Sequence, residues 1–399
     1  MKKRPNHCAY IDKGLKLDFL TNEKDELLTS IRPCCITQPD KISKDHTRHI
    51  PIIDIKDVLT HPTRTHFQHW FNNQSALHPS CISCTKLEKA ETISPRSKIN
   101  VIETDNTEFD FLRLDVNLSN ACNLACVFCN SKSSSLIETL TSKYKENELP
   151  EHWNSKFFGQ IKKVYRQPKS EDISNLCANL LKTYKIKSFK IIGGEPLLAE
   201  NWKPIEKVLD DIDTSKLEFE IITNGTIMND EIIRRLSKTK RSVVRISCDG
   251  IDKNYEFLRW PHKWNKMDKN LDFIFAHKSN VLDVGIVLLV NIFNFEFLPK
   301  IEEYYKDKGW HWFINFDIKP SNSPLSYINL PNELIFEVGQ KIKDPSIKQI
   351  IKNFNTTNKR SLDSIIKDTK FYLAQRNMQA IDVFGPKTLE FFKDGLDNG

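Results

Sequence analysis

The sequence has no long hydrophobic run. Its longest apolar stretch, Val284 to Val290, is stopped by Asn291 and falls far short of the roughly 20 residues that span a bilayer, so no transmembrane helix is expected. An apolar leader is lacking too: Met1-Lys2-Lys3-Arg4 runs into Pro5-Asn6-His7-Cys8, and the expected location is the cytoplasm. No block of basic residues with interleaved aromatics occurs, so the formal charge of +7 reads mainly as solvated surface, and nucleic-acid binding is not expected. Internal repeats and low-complexity segments are absent. What is present is an ordinary globular composition, 39% hydrophobic and 28% charged over 399 residues, enough for one large domain and a smaller one.

Ten cysteines in a chain expected to meet reducing conditions do not suggest a disulfide framework; clustered thiols there more often bind metal. The densest group is Cys122-Asn-Leu-Ala-Cys126-Val-Phe-Cys129, directly after a strand-like segment. Thiolate sulfur is the soft, charged ligand that iron-sulfur clusters require, and close spacing lets one loop wrap a cluster with little closure entropy. A fourth local cysteine is missing, since Asn130-Ser131-Lys132-Ser133 follows. Three thiolates bind three irons of a cubane, so a four-cysteine electron-transfer motif is incomplete here. A closed tetrahedral zinc site, the other reading, fits three cysteines poorly.

The C-x3-C-x2-C spacing, with Phe128 before its last cysteine, resembles the radical S-adenosylmethionine (SAM) enzymes. The resemblance implies a 4Fe-4S cluster on Cys122, Cys126 and Cys129, whose open iron chelates SAM. Reductive cleavage then yields a 5'-deoxyadenosyl radical that abstracts hydrogen from a substrate. Further segments carry the likeness over roughly residues 109 to 320. Gly193-Gly194-Glu195-Pro196 matches the family's second signature: the glycines let backbone approach a ligand, and Glu195 offers an anionic acceptor for the SAM ammonium. Thr223-Asn224-Gly225 and Ser247-Cys248-Asp249-Gly250 resemble segments that contact SAM, with Ser247 and Asp249 as hydrogen-bonding groups. Each alone is also an ordinary turn. Arg259 stands where many relatives carry an arginine; a salt-bridged surface arginine is the plainer reading.

From Phe111 onward strand and helix patterns alternate, which predicts βα units and a parallel sheet. Strands are expected at Phe111 to Leu118, Ser188 to Ile192, Leu217 to Thr223, Val243 to Cys248, Leu282 to Val290 and Trp312 to Ile318. Helices are expected at Ile173 to Tyr184, Trp202 to Ile212, Glu231 to Ser237, Asn265 to His277 and Pro299 to Lys308. The resemblance turns these into a partial (βα)6 barrel over residues 101–320, with ligands at the carboxyl ends of the strands. In the first strand Leu112, Leu114, Val116 and Leu118 alternate with Arg113, Asp115 and Asn117. The polar set is expected to point inward, where a polar substrate could be held. Asn291, Asn315 and Asp317, near the ends of the last strands, are weaker substrate-site candidates.

Residues 1–100 hold five more cysteines. Leu15 to Leu20 alternates like a half-buried strand, Thr21 to Glu26 is turn-like, and Leu27 to Ile31 returns, so a hairpin is expected to bring Cys8 near Cys34. Cys81-Ile82-Ser83-Cys84 adds a close pair. This order is similar to the twitch auxiliary-cluster module of some radical SAM enzymes. The similarity implies a second 4Fe-4S cluster on Cys8, Cys34, Cys81 and Cys84, with Cys35 as a substitute ligand. Two departures stand: the module usually follows the barrel, and Leu28-Thr29-Ser30-Ile31-Arg32 lacks the glycine common before the second cysteine. A four-cysteine structural zinc site is the alternative. Glu88, Ser94 and Arg96 resemble residues after the pair in such relatives.

Isolated Cys177 and Cys248 are expected to be buried small hydrophobes. Residues 321–399 form a helical C-terminal extension without a chemical motif, expected to pack on the barrel, cover its open side or bind a partner. The combined expectation is an α/β enzyme, a small N-terminal cysteine-rich module preceding the barrel, acting on a peptide or small polar metabolite. Its electrons would come from a donor such as a flavodoxin or ferredoxin. An iron-sulfur carrier would not need Glu195 after a glycine pair, and a zinc-stabilised interaction module would not need six βα units.

Overall fold

The computed structural model describes residues 8–22, 27–34, 50–51, 55–74, 76–89, 94–102, 108–150, 152–153, 165–166, 170–316, 325–352 and 362–397; Cys35 and Asp317 lie outside them. The chain forms two units, the first from Met1–Ser119, Gln160–Ile221 and Glu231–Val243, the second from Asn120–Gly159, Ile222–Asp230 and Val244–Gly399.

The first unit is built on strands β1 (Gly14–Asn22), β2 (Leu27–Arg32), β3 (Ile50–Pro51), β4 (Arg113–Asn117), β5 (Tyr165–Arg166), β6 (Ser188–Ile192) and β7 (Glu218–Thr223). Their order is β7-β6-β4-β1-β2-β3, with β5 paired to β1. The expected hairpin is present, since β1 and β2 run antiparallel with Leu17 opposite Ile31. It is also continuous with the parallel strands: β1 lies parallel to β4, with Leu15 opposite Leu114.

Register explains how these strands stay together. Leu15, Leu114, Phe189 and Phe219 form one row across β1, β4, β6 and β7, and Leu17, Val116, Ile191 and Ile221 form the next. All eight side chains are buried. Helices Ser170–Thr183 and Ala199–Asp211 follow the expected positions, and Trp202 of the second meets the Phe219 ring at 6.4 Å. Such rows bury apolar area continuously, at roughly 25 cal/mol per Å². The opposite face carries Lys16, Asp115, Lys190 and Glu220 in one row. Asp115 is only 1% exposed, so this is no solvated face. Arg113 donates to Asp115 at 2.7 Å and to Glu220 at 2.8 Å, and Lys190 donates to Glu220 at 2.7 Å. Alternating sign along the row lets buried charges partner one another.

In the second unit β9 (Leu282–Val290) and β10 (Trp312–Phe316) are parallel, with Leu288 opposite Ile314. Strand β8 (Arg241–Ser247) begins in the first unit and ends in the second. The expected helices appear at Trp264–Ala276 and Leu298–Asp307. Beyond residue 325 the described chain is mostly helical: Asn332–Lys341, Pro345–Lys352, Leu362–Arg376, Ala380–Val383 and Pro386–Asp397. Asn254 ties this region inward by donating to Phe293 O at 2.9 Å and to Val383 O at 3.0 Å. Cys177 and Cys248 are buried. No described helix is long and apolar enough to cross a membrane.

The charge row yields a stability prediction. Arg113→Met removes the guanidinium that bonds both Asp115 and Glu220, and leaves a buried carboxylate under-compensated. Urea unfolding should show a loss of about 1.5–3 kcal/mol, the range for a hydrogen bond to a charged group; a change below 0.5 kcal/mol, roughly the size of a neutral surface substitution, would mean the row is not stabilising.

Candidate active site

The cysteine loop of the second unit is held from both sides. The backbone N–H groups of Ala125 and Val127 donate to the carbonyls of Trp260 at 2.8 Å and Leu258 at 3.2 Å. The carbonyls of the same two residues face the C-terminal helix Leu362–Arg376. Arg376 Nη2 donates to Ala125 O at 2.8 Å, and Tyr372 Oη donates to Val127 O at 2.9 Å. His152 Nε2 also donates to Val127 O at 2.7 Å. Satisfied in this way, the peptide groups of Ala125 and Val127 can lie buried in an irregular loop. Its start is fixed as well: Ser134 caps the helix Ser135–Thr141 and donates to Leu124 O at 2.6 Å, while Cys122 N donates to Ser135 Oγ at 3.1 Å.

Charge gathers around the thiols. Cys126 is buried, whereas Cys122 and Cys129 are half-buried. Burial, and then the neighbouring Cys126 and Cys122 sulfurs, push the Cys129 thiol up to about 12. Burial also raises Cys126, against the pull of Arg259 and Arg376. Arg259 Nη1 reaches Cys126 Sγ at 3.7 Å, and its guanidinium lies 5.1 Å from the Phe128 ring centre. Arg259 also pairs with the Asp249 carboxylate, whose other oxygen accepts from Leu289 N at 2.7 Å. Burial opposes the charge on Arg259, but Asp249 and the Cys126 sulfur outweigh it and drive its pKa up.

Other expected residues take defined places in this unit. Asn224 donates to Asn123 Oδ1 at 2.8 Å, and Asn123 donates to Thr226 at 2.9 Å, so the third-strand turn grips the cysteine loop. Thr223 Oγ1 accepts from Gly225 N at 3.1 Å. Gly225 has φ +73°, and a Cβ there would lie 2.7 Å from Ile246 Cγ2. Ser247 ends β8. Asn291 is occupied in its own turn, accepting from Phe293 N and donating to Leu289 O, while Asn315 is exposed on β10.

In the first unit the turn after β6 is tightly built. Gly193 has φ +96°, and a Cβ there would sit 1.7 Å from Asn117 Oδ1, so only glycine fits. Gly194 also has positive φ. Glu195 is fully buried; its Oε1 accepts from Leu197 N at 3.0 Å and its carbonyl accepts from Asn201 at 2.9 Å. Pro196 follows in the same turn, and Ser119 donates to Asn201 at 3.0 Å.

The same unit brings the other cysteines together. The Cys8 thiol is pushed up to about 12 by burial and by the nearby sulfurs of Cys34, Cys81 and Cys84. Burial, Cys34 and Cys84 push Cys81 equally far. Cys8 and Cys81 rest against a small core of Ile11, Phe67 and Phe71. Arg96 donates to Glu88 at 3.0 Å, Ser94 donates to the same carboxylate, and Arg96 lies within electrostatic reach of Cys8 and Cys84. Among the described residues no three His, Cys, Asp or Glu side chains are drawn together tightly enough for a single metal ion.

The donor sets suit iron-sulfur clusters. All are soft thiols; Arg259 and Arg376 border Cys126, and Arg96 lies near Cys8 and Cys84. Of the residues that hold the cysteine loop, sequence reading did not single out Asn123, His152, Tyr372 or Arg376. The last three lie on segments with no motif, and their contacts with the loop span 25, 245 and 251 positions.

Residues 116–297 match the family model described as Radical SAM superfamily. The chain is 27% identical over 228 residues to the radical SAM cyclopropyl synthase TigE of Paramaledivibacter caminithermalis, covering 49% of this chain and 44% of that protein. An uncharacterized protein of Methanocaldococcus jannaschii is 26% identical over 286 residues, or 68% of this chain and 82% of the relative. The sporulation killing factor maturation protein SkfB of Bacillus subtilis is 26% identical over 142 residues, or 36% and 27%. The chain thus spans less than half the length of TigE.

His152 supplies a pH prediction. Burial lowers its pKa to about 4, against an ordinary 6.5. The unfolded state therefore binds the proton first as pH falls. Stability from neutral His152 is fully present above pH 6.5 and lost progressively between pH 6.5 and 4, by up to about 3 kcal/mol. His152→Gln should flatten that part of the stability profile; equal slopes for both proteins would remove His152 as its source.

Proposed function

Taking the radical SAM domain at residues 116–297 as premise, we propose that this protein is a two-cluster radical SAM enzyme acting on a peptide or small polar molecule. The observation that carries the reading is the Cys122, Cys126 and Cys129 loop, buried on its backbone side and bordered by Arg259 and Arg376. Bound there, a cluster would pass one electron to the sulfonium of SAM, releasing methionine and a deoxyadenosyl radical able to take hydrogen from substrate.

The chain's own residues then have separable tasks. Cys122, Cys126 and Cys129 hold three irons. Phe128 stacks on Arg259, which bonds Cys126 and is oriented by Asp249. Gly193 and Gly194 open the backbone toward SAM, Glu195 accepts from its ammonium group, and Pro196 rigidifies the turn. Asn224 steadies the loop through Asn123 while Thr223 shapes the turn. Ser247 hydrogen-bonds SAM; Asp249, occupied by Arg259 and the Leu289 amide, acts on the loop. The row of Lys16, Asp115, Lys190 and Glu220 with Arg113 offers complementary charge to a polar substrate. Cys8, Cys34, Cys81 and Cys84 hold the second 4Fe-4S cluster, with Arg96 as a nearby cation oriented by Glu88. A reduced flavodoxin or ferredoxin supplies electrons, and the helix Leu362–Arg376 braces the cysteine loop through Tyr372 and Arg376.

Anaerobic reconstitution with iron and sulfide, then reduction in the presence of SAM, should yield 5'-deoxyadenosine. A triple Cys→Ala protein at 122, 126 and 129 should yield none; production at the wild-type rate would overturn the assignment. Glu195→Gln should keep the iron but weaken SAM binding by roughly 1.5–3 kcal/mol, the contribution of a charged hydrogen bond; unchanged affinity by calorimetry would leave Glu195 as a turn residue only. In the triple variant, iron remaining on the N-terminal cysteines supports the second cluster. Stoichiometric zinc without iron would replace it with a structural zinc site.

A further inference from the structure

Arg376 is a buried cation whose described surroundings do not balance it. The side chain is 6% exposed. Its Nη2 donates to Ala125 O, and its guanidinium lies 4.6 Å from the Tyr372 ring centre and 5.0 Å from that of Phe257. Its Nε and Nη1 are buried without a hydrogen-bond partner. Among the described residues it makes no ion pair, in contrast to Arg259, whose charge is met by Asp249. A buried, unpaired charge is strongly unfavourable unless something else compensates it. Within its electrostatic reach lie the Tyr372 hydroxyl and the Cys126 sulfur, and of the two Cys126 is the residue that metal coordination would make anionic.

We infer that Arg376 is an electrostatic support of the cluster held by Cys122, Cys126 and Cys129, placed by the C-terminal helix to make one-electron reduction more favourable. The inference rests on the radical SAM reading. Reduction takes one electron from an external low-potential donor and adds one negative charge to the cluster without a proton. A fixed cation nearby, in surroundings of low dielectric, stabilises the more negative state over the less negative one. Arg259 cannot do the same alone, because Asp249 cancels much of its charge at distance. The two aromatic rings also favour a cation through their faces, which keeps the guanidinium beside the loop instead of drawn out to water.

The test is a redox titration of the reconstituted protein, followed by electron paramagnetic resonance, without SAM or substrate. Because the N-terminal cysteines are proposed to hold a second cluster, it is done in a background where Cys8, Cys34, Cys81 and Cys84 are alanine. Arg376→Met keeps the length and apolar bulk of the side chain but not its charge. It should load the same iron, and reduction should become about tenfold less favourable, which is about 59 mV for one electron. Arg376→Lys should recover most of that shift. Tyr372→Phe removes a neighbouring tie to the same loop but no charge, and should leave the potential where it was. An unchanged potential in Arg376→Met overturns the inference, as does an equal shift in Tyr372→Phe, which would assign the effect to loop geometry. If Arg376→Met loads no iron, Arg376→Lys decides: full loading at the original potential supports the charge, and failure to load shows a purely steric requirement and overturns it. Should the parent protein itself bind no cluster, the enzyme reading fails; a loaded parent with an insensitive Arg376→Met defeats only this inference.

Discussion

The backbone of Ala125 and Val127, on either side of Cys126, must be satisfied inside a largely buried loop, and much of the second unit follows from that requirement. A buried peptide group without a partner costs roughly 1–3 kcal/mol, and a loop cannot supply its own ladder. Here the N–H groups are taken by carbonyls of Leu258 and Trp260, and the C=O groups by Arg376, Tyr372 and His152. The loop therefore behaves like a short strand with a helix-borne side-chain array along one edge. Helix Leu362–Arg376, which has no motif of its own, becomes part of the cysteine site.

Electrostatics follows the same geometry. Cys126 and Cys129, in a largely buried loop, resist ionisation because burial raises both thiols. Metal coordination requires the deprotonated form. Arg259 and Arg376 oppose the effect of burial at Cys126, one balanced by Asp249 and the other not. The N-terminal cysteines repeat the pattern with different parts: burial and mutual repulsion raise Cys8 and Cys81, while Arg96, oriented by Glu88, supplies the nearby cation.

Elsewhere in the first unit, glycine and charge do complementary work. Gly193 lets the turn after β6 press against Asn117, closer than any side chain would allow. Asn201 and Ser119 then fasten the turn that carries Glu195. Beneath it, the strands present apolar rows on one face and a row of alternating charge on the other. Parallel strands covered on both faces are usually apolar throughout; this sheet departs from that rule on the face proposed to meet substrate.

Local pattern was enough for the elements themselves. The strands Ser188–Ile192 and Leu282–Val290 sit where periodicity put them, three others differ by one or two residues at their ends, and Trp312–Phe316 matches its expected strand as far as the described residues reach. The cysteine motif, the glycine-rich turn and the N-terminal hairpin were also legible, because each is encoded by residues close in sequence, the hairpin's outermost pair being Lys16 and Arg32. The sequence alone thus determined which residues are ligand types and which segments are strand or helix, since side-chain alternation and donor chemistry are local properties. Only the tertiary structure decided that Asp249 faces Arg259, that the hairpin joins the parallel strands through β1 and β4, and that Arg376 and Tyr372 close on a loop 251 and 245 positions away. Those pairings depend on burial and on unsatisfied backbone groups seeking partners, quantities that exist only once distant segments have packed.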